Sequence, residues 1–106
     1  MRFREIQARI GIKRSEVENA ISSWAKRNDA DLKPMGRLVR AYKTQGENLH
    51  WHVSGRQRGM GTVEVSYTPS DGMIVVLVHD NRRGAWAGSA YLSLADKLKR
   101  LFSTRD

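Results

Sequence analysis

Apolar positions in the first third of the chain recur at helical intervals. Phe3, Ile6 and Ile10 are three and four residues apart, which places them on one face of a helix. Gly11 stands where such a helix would end, because glycine accepts the positive φ found just past a C-terminus. Ser15, with Glu18 three residues on, carries a capping-box signature. Val17, Ala20, Ile21 and Trp24 then keep the helical spacing until "KRND". The pattern predicts a short helix, a three-residue turn and a longer helix.

After Pro34 the period falls to two. "RLVRAYK" and "LHWHV" alternate on either side of the glycine-containing turn "TQGEN", which predicts a hairpin of strands 37–43 and 48–54. "TVEVSYT" sets Val63, Val65 and Tyr67 against Glu64 and Ser66, a half-buried strand. "PSDG" is a turn, and "MIVVLVH" reads as a strand buried on both faces or nearly so. "AWAGSAYLS" fits a last strand and the lead-in to a helix equally well. Ser93 and Asp96 resemble an N-cap and its partner, ahead of a stripe of Leu94, Leu98, Leu101 and Phe102. The expected architecture is α+β: two N-terminal helices, an antiparallel sheet of four or five strands, and a C-terminal helix.

The 106 residues suit a single domain spanning 1–106. There is no cysteine, which removes disulfides, thiolate metal ligands and thiol nucleophiles. The segment "MRFREIQARI" is charged throughout and lacks the apolar core of a signal peptide. The longest apolar run, "MIVVLV", falls far short of the roughly 18 residues of a membrane span. A cytoplasmic protein with no membrane association is expected.

Charge adds the first functional direction. The formal net charge is +8, divided as +3 over residues 1–34, +4 over 35–60 and +1 over 61–106. Concentrated positive charge attracts polyanions and speeds their capture. The structural alternative is a basic surface that serves solubility alone.

The stretch "FREIQARIGIKRSEVENAIS", residues 3–22, resembles the helix-turn-helix superfamily of DNA-binding domains. Ile6, Ile10, Ile12, Val17 and Ile21 occupy the apolar positions of that pattern, and Gly11 occupies the turn. The resemblance implies that residues 14–27 are a recognition helix. Its first turns would offer Lys13, Arg14, Ser15 and Asn19, with Glu16 and Glu18 between them, to a major groove. The hairpin at 37–54 would be a wing, with Arg37, Arg40 and Lys43 meeting phosphates. Two amphipathic helices packed on a sheet would give the same pattern without that function.

Two loops carry a phosphate-binding composition. "SGRQRGMG" combines Arg56 and Arg58 with glycines that let backbone amides approach an anion. "DNRRGAW" repeats it with Arg82, Arg83 and Trp86, and an aromatic ring beside arginines suits stacking on an unpaired base. Ordinary turn glycines, solvated arginines and a Trp86 that caps the core are the plainer alternative.

The histidines offer catalysis or metal ligation. On a strand over 48–54, His50 and His52 share the face opposite Leu49, Trp51 and Val53. They could share a metal, with His79 as a third ligand and Asp80 as a fourth ligand or an outer acceptor. They could equally exchange protons in phosphodiester cleavage, with Arg56 or Arg58 on the phosphate. Ranked by these signals, a non-enzymatic nucleic-acid binder comes first, with DNA ahead of RNA and with neither cofactor nor metal. A small RNase or toxin-like enzyme using His50, His52 and His79 comes second, and a protein-interaction adaptor or inhibitor from a mobile element third. The leucine stripe at 94, 98 and 101 is the expected lid on the sheet, or a homodimer surface if the sheet is already covered.

Overall fold

The run "MIVVLV" forms a strand with a partner along each of its two edges, and one of those partners is the N-terminus of the chain. The computed structural model describes residues 2–34, 49–79 and 85–104. In chain order the elements are β1 (Arg2–Gln7), α1 (Arg14–Arg27), β2 (Ala30–Pro34), β3 (Leu49–Gly55), β4 (Thr62–Thr68), β5 (Met73–Val78) and α2 (Ala85–Phe102). The five strands form one sheet in the order β1-β5-β4-β3-β2, and every pair is antiparallel. The architecture is α+β in a single domain.

The N-terminal helix pair is corrected by this topology. Only α1 precedes the body of the sheet, because residues 2–7 are a strand. Of the three apolar residues with helical spacing, only Ile6 is buried, while Phe3 and Ile10 are 50% and 74% exposed. That spacing therefore gathers no shared buried face. As β1, the segment pairs Arg2 with Val78 and Gln7 with Met73, so it closes the edge that β5 would otherwise leave open. The helix-turn-helix resemblance accordingly has one helix, not two, over residues 3–22.

Element boundaries move for identifiable reasons. Helix α1 begins after Lys13, whose backbone N–H is accepted by the Glu16 carboxylate at 3.1 Å. The expected Ser15–Glu18 cap is displaced by two residues, and Glu18 is left to accept the Trp51 indole N–H at 3.1 Å. "AWAGSAYLS" is the first half of α2, so Ser93 lies inside a helix, where its hydroxyl accepts the Trp24 indole N–H at 3.0 Å. The predicted strand 37–43, with Arg37, Arg40 and Lys43, lies outside the described residues, as do Asp80, Arg82 and Arg83. Across the β3 edge expected for that strand, β2 pairs instead, from Ala30 opposite Gly55 to Pro34 opposite Trp51.

Pleating divides the sheet into two unlike faces. One face is formed by Ile74, Val76 and Val78 of β5, Val63, Val65 and Tyr67 of β4, and Trp51 and Val53 of β3, all buried. Both helices cover it. Val17, Ile21 and Trp24 of α1 and Leu94, Leu98 and Phe102 of α2 complete the core. The leucine stripe is thus spent on the sheet, apart from Leu101, which is 45% exposed. The buried Tyr67 hydroxyl on this side donates to the Ile12 carbonyl at 2.6 Å. No helix among the described residues is long and apolar enough to cross a membrane.

Candidate functional site

The face of the sheet that no described element covers, the uncovered face, gathers all three histidines and a carboxylate. His50 and His52 are two residues apart on β3 and so project from the same face, opposite to Trp51 and Val53. In the β3–β4 register Glu64 stands directly across from His52, and His50 lies across from Ser66. In the β4–β5 register Glu64 also faces Leu77, and His79 follows two residues later on the same face. Three strands therefore bring all three histidines of the chain to one carboxylate.

The distances are short. His50 Nε2 lies 3.2 Å and His52 Nε2 3.6 Å from Glu64 Oε1, while His79 Nε2 lies 3.0 Å from Oε2. With Nε2 protonated, His50 and His79 donate to the two oxygens of the carboxylate. The His50 and His52 rings meet edge to face with centroids 5.2 Å apart. The His50, Glu64 and His52 side chains are 15%, 20% and 29% exposed, against 55% for His79. Burial holds the His50 imidazole below the usual histidine pKa; the Glu64 carboxylate opposes that shift and His52 adds to it.

Sequence reasoning misses Glu64 as a site residue, because it lies 14 residues from His50 and 15 from His79 along the chain. The signal is present in the alternation of "TVEVSYT", which sets Glu64 on the polar face of its strand. Only the pairing register shows that this face is shared with the histidines.

The remaining site residues are scattered. Lys13, Arg14, Ser15 and Asn19 are exposed along the first turns of α1, on the helical side of the sheet. Arg14 lies 3.5 Å from Glu18. In the loop between β3 and β4, Arg56 is held by acids: its Nε lies 3.2 Å from Asp31 Oδ1 and its Nη1 3.7 Å from Asp29 Oδ1. Arg58 is exposed in the same loop. Trp86 is half-buried at the start of α2, with its ring centroid 6.0 Å from that of Trp24, so it caps the core and does not stand out as a stacking platform. Two surface cavities of about 300 and 310 Å³ lie elsewhere, between β1 and α2 and between α1 and β2.

Charge differs between the two sides. The uncovered face carries Glu5, Asp31 and Glu64 on its described strands, against Lys33. On the helical side, α1 and its cap carry Lys13, Arg14, Lys26 and Arg27 against Glu16 and Glu18. Helix α2 adds Lys97, Lys99 and Arg100 against Asp96. At the neighbouring sheet edge the Arg2 and Arg4 guanidinium groups lie 5.6 and 6.0 Å from the Tyr91 ring centroid. Comparison with protein-family models, curated proteins and solved structures gives no match.

Proposed function

We propose that the chain is a small, non-enzymatic nucleic-acid-binding protein that meets its polymer with the helical layer. The observation that carries this reading is the separation of charge across the sheet. The helices and the β1 edge hold most of the described basic side chains, and the described strand residues of the opposite face are mildly acidic. A polyanion is drawn to the first side and repelled from the second.

The exposed start of α1 favours DNA over RNA. Lys13, Arg14, Ser15 and Asn19 project from one end of a helix, and the B-form major groove is wide enough to admit a helix. The major groove of A-form RNA is too deep and narrow for it. Arg56 contributes less than its sequence context implies, since Asp29 and Asp31 already hold it and a phosphate would have to displace them.

The test is a titration of labelled duplex DNA, single-stranded DNA and an RNA hairpin at several salt concentrations, followed by a denaturing gel. Salt-sensitive binding, tightest on duplex DNA and leaving every strand intact, is expected. Cut RNA would favour the histidine-based nuclease. Absence of salt-sensitive binding would overturn the reading and favour a protein partner.

A further inference from the structure

We infer that His50, His52 and Glu64 form a binding site for a divalent transition metal ion of the zinc type on the uncovered sheet face, with His79 steadying the carboxylate. The inference goes beyond nucleic-acid binding and rests on the opposite side of the molecule.

The backbone carries much of the argument. Two histidines alternate on β3, and Glu64 occupies the β4 position directly across from His52. All three side chains leave the sheet on one face whatever their rotamers. Their ligand atoms lie within 4.8 Å of one another, and each imidazole Nε2 is 3.2 or 3.6 Å from Glu64 Oε1. Ligands at about 2.0–2.1 Å in a tetrahedral zinc shell stand about 3.4 Å apart, so an ion could enter with small side-chain movements.

The donor set selects the ion. Two imidazole nitrogens and one carboxylate oxygen suit zinc and its neighbours Co²⁺, Ni²⁺ and Fe²⁺. Ca²⁺ and Mg²⁺ prefer oxygen ligands alone. The set contains no thiolate for a soft ion such as Cu⁺. The ion would take Nε2 of each histidine in place of its proton, which moves to Nδ1. Beyond Glu64, the described charges on the strands of this face are Glu5 and Asp31 against Lys33, which stands directly across from His52, so the selection rests on the ligands themselves.

His79 has a different place. Its Nε2 meets the far oxygen of Glu64 at 3.0 Å, so it leaves Oε1 to the ion and fixes the carboxylate plane. Three protein ligands leave a coordination position open to solvent, the arrangement that accepts water or an exogenous ligand.

The untagged 106-residue chain, stripped with a chelator, would be titrated with Co²⁺ and with Zn²⁺, following cobalt absorption and calorimetric heat. One ion per chain is expected, with zinc displacing cobalt. His50→Ala and His52→Ala should each abolish uptake at concentrations that saturate the wild type. His79→Ala should weaken it by about 10- to 100-fold, the usual effect of losing an outer partner. Circular dichroism would establish that each variant is folded. Nitrogen-15 shifts of the imidazoles in the wild-type chain give a readout independent of any substitution, with Nε2 of His50 and His52 expected to move together. No uptake by the wild type, or uptake unchanged in the double His50→Ala/His52→Ala variant, would overturn the inference. So would zinc-induced shifts confined to His79.

Discussion

Trp51 and His52 are neighbours in β3 and belong to opposite sides of the molecule. Trp51 is 1% exposed, and its indole N–H donates to Glu18 on α1 at 3.1 Å. His52 projects from the other face, with Nε2 3.6 Å from Glu64. One residue step along a pleated strand separates a packed, helix-covered side from an uncovered one. The proposed polyanion surface belongs to the first side and the proposed metal centre to the second.

The Trp51–Glu18 bond anchors α1 to the sheet. Trp51→Phe removes the donor and leaves space beneath the helix, with an expected cost of about 2–3 kcal/mol. Glu18→Gln keeps an acceptor in place and should cost less than about 1 kcal/mol. Urea denaturation of the two variants checks the order. Equal losses would mean that the charge of the Glu18 carboxylate, and not the ring with its N–H, sets the strength of the contact, and would contradict this order.

Two glycines with positive φ should respond differently to alanine. Gly72 has φ +74, and a Cβ there would stand 2.7 Å from the Ala8 carbonyl oxygen, which is backbone and cannot swing away. Gly11 has φ +96 with nothing within 4 Å of the same position. Gly11→Ala should therefore cost only the backbone strain, about 1–2 kcal/mol, and Gly72→Ala more than that. Thermal unfolding of both variants reads the difference. A smaller loss at Gly72 would contradict the close approach of the β4–β5 turn to Ala8.

Alkaline stability should depend on Tyr67. Its hydroxyl is buried and donates to Ile12, and burial, helped by Glu16, raises its pKa above the ordinary tyrosine value of 10.0. The folded phenol therefore keeps its proton at a pH where the unfolded one loses it. Stability falls as pH rises above about 10, until the folded group also ionises. Tyr67→Phe should be less stable near neutrality by about 1 kcal/mol, the worth of the bond, and should lose this tyrosine's part of the alkaline decline. Unfolding curves at pH 8 and above pH 10 test it, and identical slopes for the two proteins would contradict it.

Much of the fold is legible in local pattern, and each exception has a physical cause. Strands β3 and β4 follow from alternation, β5 from its apolar run, and helix α1 from the spacing of Val17, Ala20, Ile21 and Trp24, although β5 buries only Ile74, Val76 and Val78 fully and leaves Met73, Val75 and Leu77 partly exposed. Strand β1 is hidden because its stability lies in backbone pairing with β5, while Phe3 and Ile10 imitate a helix and stay exposed. Strand β2 has five residues and contributes little alternation, so its state is set by β3 across from it. Small residues disguise the first half of α2, where Ala87, Ala90 and Tyr91 nonetheless keep helical spacing and are buried. The histidine pair is visible from alternation within one strand. Glu64 is not, since a register between strands is a tertiary fact.

The salt dependence of duplex-DNA binding in two charge variants shows whether the helical layer is the polyanion surface. Lys26→Ala/Arg27→Ala removes two exposed cations from the end of α1, and Lys33→Ala removes a cation that the described strands carry on the uncovered face. The log–log slope should become shallower by up to about two units in the double variant, at about 0.9 for each phosphate no longer neutralised, and stay unchanged for Lys33→Ala. An unchanged slope in the double variant together with a shallower one for Lys33→Ala would place the polymer on the wrong face and contradict the account.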